Sequence, residues 1–210
     1  MWKNYSFGLA STDTIDSVVV RADFFASNVR GFISVRVSGD GGATYGPSHV
    51  VGGNTAEQTF LIDVTSDATW TSQKLNNANF VVNVTCFKSP TSSSNPICRL
   101  DYLPVNVTYT PFDFTMSSSP SSSNVSPGNS TLTTITATLT SGVATSVNLS
   151  VSGCPAGSSC TLSATSGNPT FSSNLTVATN ATTPTGTYFI NITGTGGGKT
   201  RKTNFTLTVT

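Results

Sequence analysis

The sequence predicts an all-β protein built from two β-sandwich domains, and three observations carry that prediction. Short runs in which Val, Ile, Leu, Phe or Tyr alternate with Ser, Thr or Asn recur along all 210 residues, the two-residue period of a half-buried strand. Clusters of Gly, Pro, Ser and Asn separate those runs at short intervals, as turns do. The charges also divide the chain: all nine carboxylates lie at or before Asp113, so residues 1–113 carry a net −2, whereas residues 114–210 hold only Lys199, Arg201 and Lys202 and carry +3. Two stretches of such different composition, each about 100 residues long, read as two domains meeting near Thr110-Pro111. Their opposite signs either favour head-to-tail contact of unlike halves or reflect independent drift of two modules.

In the first half, the alternation places strands at about residues 16–26, 32–38, 58–65, 79–87 and 98–110. In the first of these, Val18, Val20 and Ala22 oppose Val19, Arg21 and Asp23. Residues 70–77 read as a short helix or a loop. Residues 1–10 alternate as well, with Tyr5, Phe7 and Leu9 on one face and Asn4, Ser6 and Gly8 on the other, and are predicted to form a strand. A linker, Ala10-Ser11-Thr12-Asp13-Thr14, separates it from the next run. The expected organisation is therefore residues 1–14 as an N-terminal strand, 15–111 as one β domain and 112–210 as the second.

An apolar terminal strand must be covered. It either pairs within its own domain or enters a neighbour's sheet, where it satisfies edge hydrogen bonds and buries its large side chains. Burying Tyr5, Phe7 and Leu9 is worth roughly 5–8 kcal/mol before entropy costs. The first half has only about five other strands, few for a closed two-layer domain, so a strand supplied by another copy fits. Such an exchange is heterologous and can propagate into a filament. Tyr5, Phe7 and Leu9 are the candidate subunit-interface residues.

The second half reads as strands at about 112–117, 131–140, 146–152, 160–164, 170–178, 186–194 and 200–209. Seven short strands in roughly 97 residues is a sandwich pattern. Residues 117–130, rich in Ser, Pro, Asn and Gly, read as a loop. Thr195-Gly196-Gly197-Gly198-Lys199 reads as a hairpin turn.

Ten of the seventeen asparagines stand in Asn-X-Ser/Thr glycosylation acceptors: Asn4, Asn83, Asn106, Asn124, Asn129, Asn148, Asn174, Asn180, Asn191 and Asn204. Six of them (Asn83, Asn106, Asn148, Asn174, Asn191 and Asn204) fall on the polar phase of an alternating run, where a sugar can be attached without entering the core. The alternative is that Asn is simply a common outward-facing strand residue. The recurrent third-position Ser or Thr favours covalently attached N-glycans.

Four cysteines form two close pairs, Cys86 with Cys98 and Cys154 with Cys160, each bracketing a Pro/Ser-rich turn. Each pair is expected to close a small loop as a disulfide, which implies an oxidising, extracellular compartment. A zinc site is the rival reading. It is disfavoured because neither pair is Cys-X-X-Cys and His49 is the only histidine. The opening Met-Trp-Lys-Asn-Tyr has no apolar signal core, so the chain is expected to be processed or excised from a longer one. No apolar run of 18 residues suggests a membrane span, and a net charge of +1 gives no basic stripe for nucleic acid.

Few residues suggest chemistry. His49 follows Tyr45-Gly46-Pro47-Ser48 and is expected to be an exposed loop residue rather than a general base. Asp40, Asp63, Asp67 and Asp101 are scattered. Asp63 and Asp67 could contribute to a calcium site, but a capping or solvated role is preferred. No catalytic residue, metal ligand or cofactor is expected. Lys199, Arg201 and Lys202 could bind an acidic surface or polysaccharide, or could be edge-strand cations that block unwanted pairing, which is preferred. Trp2, Trp70, Tyr102 and Tyr109 are candidates for a sugar platform, with core packing favoured for most.

Four resemblances follow. Ser38-Gly39-Asp40-Gly41-Gly42-Ala43-Thr44-Tyr45 resembles the Asp-box, with Tyr in place of its terminal Trp, which implies a structural hairpin. In the second half, Phe112-Asp-Phe-Thr-Met, the Ser-Pro-Gly loop, Ser146-Val-Asn-Leu-Ser-Val, Thr183-Pro-Thr-Gly-Thr-Tyr188 and the closing Phe205-Thr-Leu-Thr-Val resemble the immunoglobulin-like modules of archaeal and bacterial surface proteins and secreted peptidases. The first half looks like jelly-roll-like domains of archaeal surface proteins. Two β domains, dense acceptors and an apolar terminal strand together look like subunits of archaeal thread-like filaments assembled by donor strands. That likeness implies a non-enzymatic, glycosylated extracellular pilus-type polymer. The alternative is a spacer or glycan-binding module of a larger cell-surface or secreted protein, including an accessory region of a hydrolase.

Overall fold

The computed structural model describes all 210 residues. It is all-β, with sixteen strands and a single 3₁₀ turn at Thr65–Asp67. No helix is long and apolar enough to cross a membrane. The chain divides into two compact units, Met1–Thr110 and Pro111–Thr210. Asp113 therefore belongs to the second unit, as its only carboxylate.

The first unit holds β1 (Thr14–Ala26), β2 (Gly31–Ser38), β3 (His49–Gly52), β4 (Gln58–Asp63), β5 (Val81–Lys88), β6 (Cys98–Tyr102) and β7 (Val105–Thr110). One sheet is organised on β1, flanked by β4 on one edge and by β6 and β7 in succession on the other. The second sheet has the order β3-β2-β5. The core collects Val18, Val20, Ala22 and Phe24 of β1, Ile33, Val35 and Val37 of β2, and Val82 of β5. Each of these sets has a period of two, which is what burying one face of a strand requires. Residues 98–110 form two strands rather than one, because β1 shifts register between Asp23 and Phe24 while Leu103-Pro104 interrupts its partner. Pro104 has no N–H to give to a ladder.

The second unit holds β8 (Asp113–Ser119), β9 (Ser122–Val125), β10 (Ser130–Ser141), β11 (Val147–Ser152), β12 (Ser158–Leu162), β13 (Ser166–Gly167), β14 (Phe171–Thr179), β15 (Gly186–Gly196) and β16 (Lys199–Val209). They make two sheets, β12-β14-β10-β8 and β13-β11-β15-β16-β9. Phe114, Ile135, Leu175, Val177, Ile190, Ile192, Phe205 and Leu207 fill the space between them, fully enclosed. The predicted loop at 117–130 is corrected. β8 runs on to Ser119, and after Pro120 the chain changes sheets, so that β9 pairs in parallel with β16. The turn between β15 and β16 has Gly197 and Gly198 at φ +53° and +74°, the two left-handed positions of a tight hairpin. A side chain at Gly197 would also collide with the Phe112 ring, 2.4 Å from the position of a Cβ.

Each unit carries one disulfide, and each ties its two sheets together. Cys86 on β5 is joined to Cys98 on β6, with Cα atoms 5.9 Å apart. Cys154, just after β11, is joined to Cys160 on β12, with Cα atoms 6.4 Å apart. Replacing either pair by Ala releases a closed loop in the unfolded chain. The expected cost is about 3 kcal/mol for the longer loop and slightly less for the shorter one, read as a lowered midpoint in urea.

Candidate functional site

The site with the most pronounced geometry is the open side of the first unit, where residues 1–10 lie. They do not form the predicted strand. Asn4 and Gly8 have φ of +71° and +64°, left-handed values that bend an extended chain out of register. The side chains nonetheless keep their alternation, and Tyr5, Phe7 and Leu9 all pack on the first unit's own core. The Tyr5 and Phe7 rings stack parallel, 6.1 Å apart, and both meet the edge of Phe80, at 5.4 and 5.6 Å. Behind them Phe80 contacts Trp70 at 5.6 Å. Trp70 is anchored by its indole N–H donating to the Val64 carbonyl at 2.9 Å.

Backbone support for this segment is sparse. Trp2 exchanges two hydrogen bonds with Val82, of 2.7 and 3.0 Å, in a single isolated bridge. The Tyr5 hydroxyl then donates to the Leu103 carbonyl at 3.0 Å, and burial pushes its pKa up to about 12, which keeps it in the donating form. The segment thus starts at the β5 edge and crosses to the break between β6 and β7. Otherwise β5 pairs only with β2. In antiparallel pairing alternate residues turn their backbone groups to opposite sides. Val84 and Cys86, in phase with Val82, therefore face the same unfilled edge. A cavity of about 390 Å³ remains beside Phe7 and Leu9, bordered by Ser72, Leu75 and Asn76.

Trp70 is core, whereas Trp2, Tyr102 and Tyr109 are exposed. Tyr102 lies under the Arg21 guanidinium. The expectation for His49 is corrected: it begins β3, half-buried, and its Nε2 lies 2.8 Å from the carboxylate of Asp67, whose side chain is only 2% exposed. Asp63 accepts from the Thr65 N–H at 2.9 Å in an Asx turn that leads into the 3₁₀ turn, whose N-cap residue is Val64 and makes no side-chain cap bond, while Asp67 is engaged by His49. Arg201 is not a free cation. It pairs with Asp113 at 2.5 Å and donates to the Phe114 carbonyl; β9 pairs with β16 only over Thr206–Val209, so the end of β16 that carries Lys199, Arg201 and Lys202 has a ladder to β15 alone.

The Asp-box segment has the geometry its residues suggest. The Asp40 carboxylate accepts from the Thr44 N–H at 2.9 Å and from the hydroxyls of Thr44 and Ser38. The Ser38 hydroxyl in turn accepts the Gly42 N–H at 3.0 Å. These donors, led by Ser38, hold the Asp40 carboxyl far below the usual carboxylate range. Every acceptor site on Asp40 is spent on its own hairpin, so the motif is structural.

All ten acceptor asparagines lie outside the cores, nine exposed and Asn83 half-buried. Four of them share the outer face of the second unit's larger sheet. Asn191 is directly opposite Asn204 across β15 and β16, Asn148 lies on β11 opposite Thr195, and Asn124 lies on β9 opposite Thr208.

No family model matches the chain, and no curated protein does. Among solved structures, domains 4 and 5 of the S-layer protein SbsC align over 65% of this chain and 69% of that one, at 13% identity and a TM-score of 0.37. A protein of unknown function from Porphyromonas gingivalis W83 aligns over 89% of this chain and all of that one, at 11% identity and a TM-score of 0.34. Likenesses of this size assign neither a family nor a function.

Proposed function

We propose that this chain is the structural subunit of a glycosylated extracellular filament, in which residues 1–10 of one copy occupy the first-unit groove of the next. It is a reading without a catalytic step or a cofactor, and its partners are further copies of the chain. One observation carries it: Tyr5, Phe7 and Leu9 cover an aromatic groove while the backbone that delivers them is held by a single bridge to an otherwise open β5 edge. A segment rich in side-chain burial and poor in backbone bonds is suited to exchange. Moving it to a neighbour preserves the aromatic contacts and allows a ladder along Val82, Val84 and Cys86 that the intramolecular path does not make. Two disulfides fit an oxidising, extracellular setting. Acceptor asparagines outside the cores leave room for sugar on the outer sheet faces.

Electron microscopy of natively purified full chain, beside a form lacking residues 1–12, tests the reading. Filaments from the full chain and none from the truncated form are expected. Monodisperse monomers in both would overturn it and leave a spacer or glycan-binding surface module.

A further inference from the structure

The outer face of the β13-β11-β15-β16-β9 sheet is built almost entirely of small polar side chains. On β15 and β16 the outward positions are Thr187, Asn191, Thr193 and Thr195, then Thr200, Lys202, Asn204, Thr206 and Thr208. One residue breaks the pattern: Phe189, an outward-facing aromatic left 65% exposed. A lone exposed apolar residue is ordinarily unremarkable. This one stands two residues before Asn191 on the same strand and face, hence about 7 Å from it. Its cross-strand partner is Thr206, the third residue of the Asn204 acceptor. Phe189, Asn191 and Asn204 thus form one compact triangle on a face with no other large apolar group on these two strands.

Asn191 and Asn204 are also in direct register. Residues opposite one another on one face have Cβ atoms about 5 Å apart. Two sugars leaving the sheet from points that close crowd one another, so a sugar on one site disfavours a sugar on the other. Asn148 and Asn124 are each displaced from this pair by four residues along a neighbouring strand, since Ser152 opposes Asn191 and Thr208 opposes Asn124. That is about 13 Å, enough for separate chains.

We propose that the Asn191/Asn204 pair holds a single N-glycan, carried by Asn191, and that Phe189 is the platform on which its first sugar lies. The C–H face of a pyranose is apolar and matches a flat aromatic ring, as a base or a second ring does. The occupant of the exposed phenyl ring is then a group tethered two residues away, which needs no diffusing ligand. The inference rests on the glycoprotein part of the proposed function.

Glycopeptide mass spectrometry of the natively glycosylated full chain is the first test, with Phe189→Thr and Asn191→Gln variants made in the same cells. Sugar on Asn191 with Asn204 bare is expected in the parent chain. In Asn191→Gln, freeing the crowded register should allow Asn204 to be modified. In solution, the first sugar's ring protons should be shifted upfield by the phenyl ring in the parent and not in Phe189→Thr. Sugar removal should lower the second unit's melting temperature by roughly 4 °C in the parent and leave Phe189→Thr unchanged. Asn191 bare, both sites of the pair filled on one chain, or a Phe189→Thr protein with unaltered sugar shifts would overturn the inference. If Asn191 alone is bare, only this inference fails; if all ten acceptors are bare, the glycoprotein reading fails with it.

Discussion

Deleting residues 1–12 is expected to destabilise the first unit by about 3–6 kcal/mol while leaving the second unit at its original stability. The figure follows from the three side chains removed. Full burial of each would be worth 1.5–3 kcal/mol, and Tyr5, Phe7 and Leu9 are only partly buried, so the sum is reduced accordingly. A domain of this size is stable by about 5–15 kcal/mol in total, so the loss brings the first unit close to unfolding. Deletion uncovers the Phe80 ring, which is completely enclosed in the intact chain, and opens the way to Trp70 behind it. Urea unfolding should therefore change from overlapping transitions to two separated ones. An added peptide with the sequence of residues 1–12 should restore the early transition. A truncated chain whose first unit unfolds at the original urea concentration would show that the segment covers nothing of consequence.

The second large effect is in acid. Four carboxyls are held below their ordinary range by the folded structure: Asp23 by Arg21 and Thr59, Asp40 by Ser38 and Thr44, Asp63 by Thr65, and Asp113 by Arg201. A depressed folded-state pKa means that the unfolded chain binds protons first as the pH falls. The stability these groups supply is complete above about pH 5 and is lost between the unfolded pKa near 4 and the lower folded one. Three of the four lie in the first unit, together with the only histidine. The second unit has Asp113 and no other carboxylate side chain. Acid titration should thus unfold the protein in two steps. The first unit should lose stability progressively below pH 4, with Asp40 resisting protonation longest. The second should keep nearly the same melting temperature from pH 7 to pH 3, because only one of its side chains gains a proton there. Calorimetry at a series of pH values separates the two. A second unit that melts in parallel with the first would contradict this account.

Much of this was legible in the alternation of the sequence, because a strand with one buried face writes its period directly into the side chains. Val18, Val20, Ala22 and Phe24 announce β1, and Phe205, Leu207 and Val209 announce β16. The losses have separate causes. β3 is only four residues long and follows Pro47, too short for a period to register. β9, Ser122–Val125, offers the core only Val125 and is held by its parallel ladder to β16, a long-range contact. Residues 1–10 keep the alternation of a strand without being one, because Asn and Gly at the exposed positions 4 and 8 are the residue types that tolerate left-handed backbone. The apolar half of the groove contact, Tyr5, Phe7 and Leu9, could be read from sequence. The receiving half could not, because Leu75, Phe80 and Leu103 come from a turn, the residue before β5 and the break between β6 and β7. The His49–Asp67 pair was hidden for the same reason, joining β3 to the 3₁₀ turn across 18 residues.

The central claim is that the segment covering the groove belongs to a neighbouring copy in the assembled state. The bridge between Trp2 and Val82 supplies the test, because residues that exchange both backbone hydrogen bonds have Cα atoms about 5.5 Å apart, within disulfide range. A Trp2→Cys, Val82→Cys double variant, assembled and then oxidised, should run on a non-reducing denaturing gel as a ladder of covalent multimers that collapses to monomer on reduction. Quantitative crosslinking confined to single chains would contradict strand exchange.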